Sequence, residues 1–197
     1  MRTASRGKRS GSAVVEFALA VSVLIPAYIW MVMLGVDLRR LLQTNQMCRD
    51  AGHMYARNVD FSQSMNKDFV IRLGKSMGMA DNSGTGVVIL SKVVKAGTNT
   101  CSAVPSCTNL DKLVVTERFV IGNAAVGVSK LGTPSTIQSN GTILATDYLK
   151  KSSCIATNMP ASLSAYMSDG DTAYVAEAMF NSFWNKARGN IYAKMFF

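Results

Sequence analysis

The chain holds one histidine, His53, and no Cys-x-x-Cys pair among its four cysteines. Together these omissions remove the usual zinc ligand sets. A catalytic imidazole needs a positioned acid or nucleophile beside it, and no such pattern surrounds His53, so a polar place on a helix surface is expected for it. Gly84-Thr85-Gly86 lacks the third glycine and the preceding strand of a phosphate-binding loop. Asp169-Gly170-Asp171 lacks the further spaced ligands of a calcium loop and is expected to be a turn before a strand. Asn140-Gly141-Thr142 has the form of a glycosylation acceptor and is also read as a turn. No internal repeat or long low-complexity tract is present. No cofactor and no metal are expected.

Charge is sparse, at 17% of residues, and its balance of +9 is uneven. Arg2, Arg6, Lys8 and Arg9 carry four of those charges, which leaves five for all that follows. The remaining basic residues are scattered rather than gathered on an aromatic-lined face, so nucleic acid is not an expected partner. A basic leader before an apolar run instead favours a cytoplasmic N-terminus. Arg39, Arg40 and Arg49 on the far side weaken that asymmetry without reversing it.

One long apolar run stands out, from Ala18 to Val36. With the residues before it, about 25 residues rising ~1.5 Å each reach ~37 Å, longer than the ~30 Å hydrocarbon core of a bilayer. The segment can span with tilt. A secretory signal would end sooner, at a small-residue cleavage site, whereas Trp30-Met31-Val32-Met33-Leu34 continues with none. Glu16 sits at the head of this run, where a charge costs up to roughly 2.5–3.5 kcal/mol on insertion scales and marks a functional position.

The helical pattern continues past the membrane run. Leu38, Leu41, Leu42, Cys48, Ala51 and Tyr55 recur near helical spacing, which predicts one helix from about Ser12 to Asn58 with Pro26 as a kink. A second helix is expected over Ser64 to Met77, with Ser64 as N-cap, Gly78 as stop, and Met65, Phe69, Leu73 and Met77 as its core stripe. Beyond the turn cluster Asp81 to Gly86 the texture becomes that of strands. Val87 to Val94 is rich in β-branched residues. Leu113 to Ile121 alternates, with Leu113, Val115, Phe119 and Ile121 on one face and Glu117 interrupting it. Gly122 to Thr142 reads mostly as loop, and Ile143 to Leu149 as a short helix or strand. Asp171 to Trp184 reads as a strand sharing Tyr174, Ala176, Ala178, Phe180 and Trp184 on one face, and Ile191 to Phe197 as a terminal strand. Glu117 and Glu177 are expected to pair with neighbouring Arg or Lys. The fold class is therefore α+β: a long N-terminal transmembrane helix continuing into a small extracytoplasmic domain with an antiparallel sheet.

Cys101 and Cys107 bracket a short polar turn and are expected to form a disulfide in an oxidising compartment. In the chain-entropy account a loop this short contributes roughly 2–2.5 kcal/mol. Cys48 and Cys154 are a possible second pair, although spacing alone leaves three connectivities for four cysteines.

Gly11-Ser12-Ala13-Val14-Val15-Glu16-Phe17 resembles the processing site of type IV-type prepilins. The resemblance implies cleavage by a membrane prepilin peptidase between Gly11 and Ser12, which makes Glu16 the fifth residue of the mature chain. Cleavage would free an amine at Ser12 with a reference pKa of about 7.7–8.0, one helical turn from Glu16. That amine, or a neighbouring subunit's, would neutralise the carboxylate. An uncleaved signal anchor with a stray glutamate is the plain alternative.

With Leu42 to His53, Val114 to Asn123 with Ser129 to Pro134, and Gly170 to Phe180, the chain resembles a TadE/TadF-type pseudopilin of the tight-adherence (Tad/Flp) pilus system. Only the first motif is specific; the others are loose. Ser12 stands where many type IV pilins carry phenylalanine, and Cys48 and His53 where the family tends to have alanine and arginine. The domain exceeds that of the small major pilins, which implies a minor, initiating or tip component.

On this resemblance the chain divides into a leader at 1–11, a transmembrane part at 12–36, a helical stalk at 37–80 and a periplasmic domain at 81–197. The implied protein is a non-enzymatic inner-membrane subunit with its N-terminus in the cytoplasm, able to reach the pilus or cell surface after assembly. Its implied partners are the prepilin peptidase, other pilin subunits, the inner-membrane assembly platform and lipid. The rival reading is an anchored periplasmic scaffold or binding protein that never enters a filament.

Overall fold

The computed structural model of the protein describes residues 10–182 and 189–197. Most of the expected leader and Trp184 lie outside the described residues. Helix α1 runs Ser10–Ala56 and passes through Pro26 without interruption. The chain divides into two units, Met1–Arg39 and Arg40–Phe197. Residues from Arg40 onward form one compact unit with the sheet. The reason lies in the last turns of α1, where Thr44, Met47, Cys48, Ala51 and Tyr55 are buried at helical spacing. In contrast Leu38, Leu41 and Leu42, expected on the same stripe, are exposed.

In the second unit, α2 (Ser64–Leu73) is followed by a 3₁₀ turn at Lys75–Met77. Ser64 is already helical, and Gln63 holds the N-cap position without a side-chain bond. Gly78 ends the turn at φ +83, the left-handed region where glycine carries no Cβ penalty. Strands β1 (Gly86–Ala96), β2 (Lys112–Gly122), β3 (Thr172–Phe180) and β4 (Ile191–Phe196) form one antiparallel sheet in the order β2-β1-β3-β4. Short helices α3 (Thr98–Ser102), α4 (Ala145–Tyr148) and α5 (Ala161–Tyr166) lie in the connections.

The main core forms where the end of α1 and Val70 of α2 meet Val88, Leu90, Phe119, Ile121, Ala176, Ala178 and Phe180. A second cluster, containing Val93, Leu113, Val115, Val175 and Leu131, packs on the opposite face. The two faces explain a correction to β2. Glu117 pairs with Lys92, but Val115 pairs with Val93, so Thr116 is an extra residue at a bulge. The bulge inverts the alternation. Leu113 and Val115 face away from α1, while Glu117, Phe119 and Ile121 face toward it. Five residues that share a face by sequence parity are divided between two.

Candidate functional site

Residues 10–12 form the first turn of α1, and Glu16 follows Ser12 by four residues, one turn along the helix. From Ala13 the helix is long and apolar enough to cross a membrane, with a mean hydropathy of 2.2 in its most apolar window and none of that window buried in the protein. Phe17, Val23, Tyr28 and Trp30 are all exposed.

The stripe expected to make α2 a core helix points outward instead. Met65 is 79% exposed, Phe69 50% and Leu73 41%. Val70 is the fully buried residue of α2, and Met77 is buried in the main core, its Sδ 3.9 Å from Thr44 Oγ1. Phe69 and Met54 border two adjoining grooves of ≈ 400 and ≈ 530 Å³. Charges of both signs rim them, from Asp50, Arg57, Asp68 and Arg72.

Neither glutamate of the sheet makes an ion pair with Arg or Lys among the described residues. Glu117 accepts a 2.8 Å hydrogen bond from the Tyr55 hydroxyl. Burial and the adjoining Glu117 carboxylate push the Tyr55 phenol well above its usual range. Glu177 is fully buried on the other face, where it accepts from Ser129 Oγ, from the Lys130 backbone N–H at 3.0 Å and from the Tyr192 hydroxyl at 2.7 Å. Tyr192 is raised by the same two causes, burial first and then its bond to Glu177.

Near this cluster Arg118 is buried. Its Nε donates to Ser91 Oγ at 3.0 Å and its Nη1 to the Gly132 carbonyl at 2.6 Å. Its buried Nη2 has no hydrogen-bond partner among the described residues. Desolvation lowers the guanidinium's pKa, and the charge of Glu177 opposes that change. The sequence signal that would have found this network is the residue parity of Ser91, Arg118 and Glu177 after the bulge, which is invisible without the register.

Cys101 and Cys107 are disulfide-bonded across a sequence separation of 6. The helix that carries Cys101 is capped from far away. Asp169 accepts from the backbone N–H groups of Gly97 at 2.8 Å and Asn99 at 2.5 Å, and from Thr100 Oγ1 at 2.6 Å. Asp171 accepts from the Ser168 N–H. Both carboxylates of this turn are thus occupied by backbone donors, which a sequence reading cannot see.

Cys48 and Cys154 are free and buried, and the possible second disulfide is not formed. Cys48 packs with Ala176 on the α1 face and bonds its carbonyl at 3.2 Å. Cys154 packs with Val175 on the opposite face. Consecutive strand residues point to opposite sides, so the sheet separates the two sulfurs. Burial pushes the Cys48 thiol up to about 12 and raises that of Cys154. His53 lies exposed on α1 with its ring centroid 4.7 Å from that of Phe197. Among the described residues no group of three or more His, Cys, Asp or Glu is gathered as a metal site.

No family model, curated protein or solved structure matches the chain.

Proposed function

We propose that this protein is a minor pilin or pseudopilin that takes part in assembly, initiation or capping of a Tad-type pilus. The observation that carries the reading is the stretch Gly11 to Phe17 at the head of a single helix of 47 residues. That helix is apolar and uncovered at its start and is built into a domain core at its end. In this account the apolar part of α1 anchors the precursor in the inner membrane, N-terminus inward, until a prepilin peptidase trims it after Gly11. The Ser12 amine and Glu16 then neutralise each other within or between subunits as helices pack side by side. The domain from Arg40 onward presents the contact surfaces, and the outward Met65-Phe69-Leu73 stripe is the apolar face suited to a neighbouring subunit.

The same exposed groove favours one other reading, an anchored scaffold that binds a partner and stays in the membrane. Shearing and sedimenting surface filaments separates the two. A pilin co-isolates with the filaments in proportion to them, whereas a scaffold stays wholly in the membrane pellet.

A further inference from the structure

Lys92 and Glu117 are direct cross-strand partners on the α1 face of the sheet. Opposite charges in that position ordinarily close on each other. Here they do not: among the described residues no ion pair joins them. The carboxylate takes the Tyr55 hydroxyl, and the ammonium lies 5.8 Å from the centre of the Tyr174 ring. Both line a pocket of ≈ 200 Å³ together with Asn58, Asp60 and Phe119, and the Asp60 carboxylate is already taken up by the Ser62 backbone N–H at 2.8 Å and by Gln63 Nε2 at 3.4 Å.

Its walls are held firmly. Tyr55 packs edge-on against Tyr174 at 5.1 Å and against Phe119 at 5.9 Å. Tyr174 donates to Asn58 Oδ1 at 3.3 Å. The volume is below the ~300–1,000 Å³ of drug-sized sites. Such a space, with a carboxylate and an ammonium across it and aromatic rings beside the carboxylate, has the recognition chemistry for one class of ligand. An ammonium is drawn to Glu117 and to the electron-rich faces of the tyrosines. A carboxylate is drawn to Lys92, whose three ammonium donors make no hydrogen bond among the described residues.

We propose that this cavity binds a small zwitterion of the α-amino-acid class, its ammonium on Glu117 and its carboxylate on Lys92. The site stands on residues 55–174 alone and does not depend on the pilin reading.

The test uses the full chain in detergent and equilibrium dialysis with glycine and L-alanine as probes, with methylamine and acetate as single-charge controls. Saturable binding of at least one zwitterion is expected, with both controls at least about tenfold weaker. Lys92→Met should weaken binding about tenfold or more, and Lys92→Arg should retain it. Among the described residues the Lys92 ammonium makes no hydrogen bond, and the bond that Lys92 accepts from Thr116 Oγ1 is to its backbone carbonyl, so Lys92→Met is expected to keep the fold, which circular dichroism verifies in the same sample. Glu117→Gln gives the complementary loss. No saturable binding of either zwitterion up to about 10 mM overturns the proposal. So does binding of methylamine or acetate as tight as that of the zwitterion, or binding unchanged in Lys92→Met.

Discussion

Tyr55 donates a hydrogen bond of 2.8 Å to Glu117 across a sequence separation of 62 residues. The bond joins the last turn of α1 to β2 just beyond its bulge. It fixes which face of the sheet the helix covers, because Glu117 is the first residue of β2 after the inversion. Tyr55→Phe removes the donor while keeping the ring contacts with Phe61, Phe119 and Tyr174. A destabilisation of about 1.5–3 kcal/mol is expected, the range for losing one bond to a charged acceptor. Chemical denaturation of the full chain in detergent measures it, and an unchanged midpoint would show that the bond carries no weight.

Glu177 should be the least replaceable polar residue of the domain. It is fully buried and accepts from three donors, two of them on the segment Ser129–Lys130. Glu177→Gln turns an amide N–H₂ toward at least one of those donors and removes the negative charge near buried Arg118. A loss of about 3 kcal/mol is expected. Ser129→Ala should cost about 1–2 kcal/mol and speed hydrogen exchange around Leu131. Equal stability of Glu177→Gln and wild type would contradict the assignment.

Much of this fold was legible in the chain. The apolar run, its continuation to Tyr55, the two central strands and the terminal strand follow from periodicity and β-branched composition. The Cys101–Cys107 pair follows from spacing across a short turn. What failed had local causes. Thr116 adds one residue to β2, and a period of two carries no record of a bulge, so Leu113 and Ile121 seem to share a face that they do not share. Met65, Phe69 and Leu73 form as regular a stripe as a core helix would, and nothing local says that Val70 is the residue that turns inward. Glu117 and Glu177 are satisfied by hydroxyls and backbone 15 to 62 residues away, a kind of partner that only the tertiary fold supplies.

The thiols give a direct check of the corrected pairing. Under denaturing conditions without reductant, alkylation with mass mapping should label Cys48 and Cys154 and leave Cys101 and Cys107 joined. In the folded protein Cys48 should react far more slowly than an exposed thiol, because the thiolate is the nucleophile and burial pushes its pKa up to about 12. A peptide linking Cys48 to Cys154 would refute the arrangement of α1 on the sheet.

Asp169 makes a pH-dependent contribution. The Thr100 hydroxyl and the N–H groups at the head of α3 hold its pKa below the usual value. The folded state then favours the charged form. The added stability is full above the unfolded carboxylate value of about 3.9 and is lost as pH falls through the lower folded value. Asp169→Asn should lower the melting temperature at neutral pH. The gap from wild type should close as the solution is acidified below about pH 4. A gap that is constant across that range would mean that the side chain's charge is irrelevant.

Glu16 and the N-terminus carry the central claim. Glu16→Gln should leave membrane level and processing intact, since it removes a charge from an apolar run and leaves Gly11 untouched. Assembly should fall, because the Ser12 amine loses its counter-charge. The measurement that tests the account most directly is the intact mass of protein recovered from membranes of a host with an active prepilin peptidase. The account predicts a chain that begins at Ser12, and full-length precursor only when Gly11 is replaced by a bulky residue. Full-length wild-type chain under those conditions would contradict it.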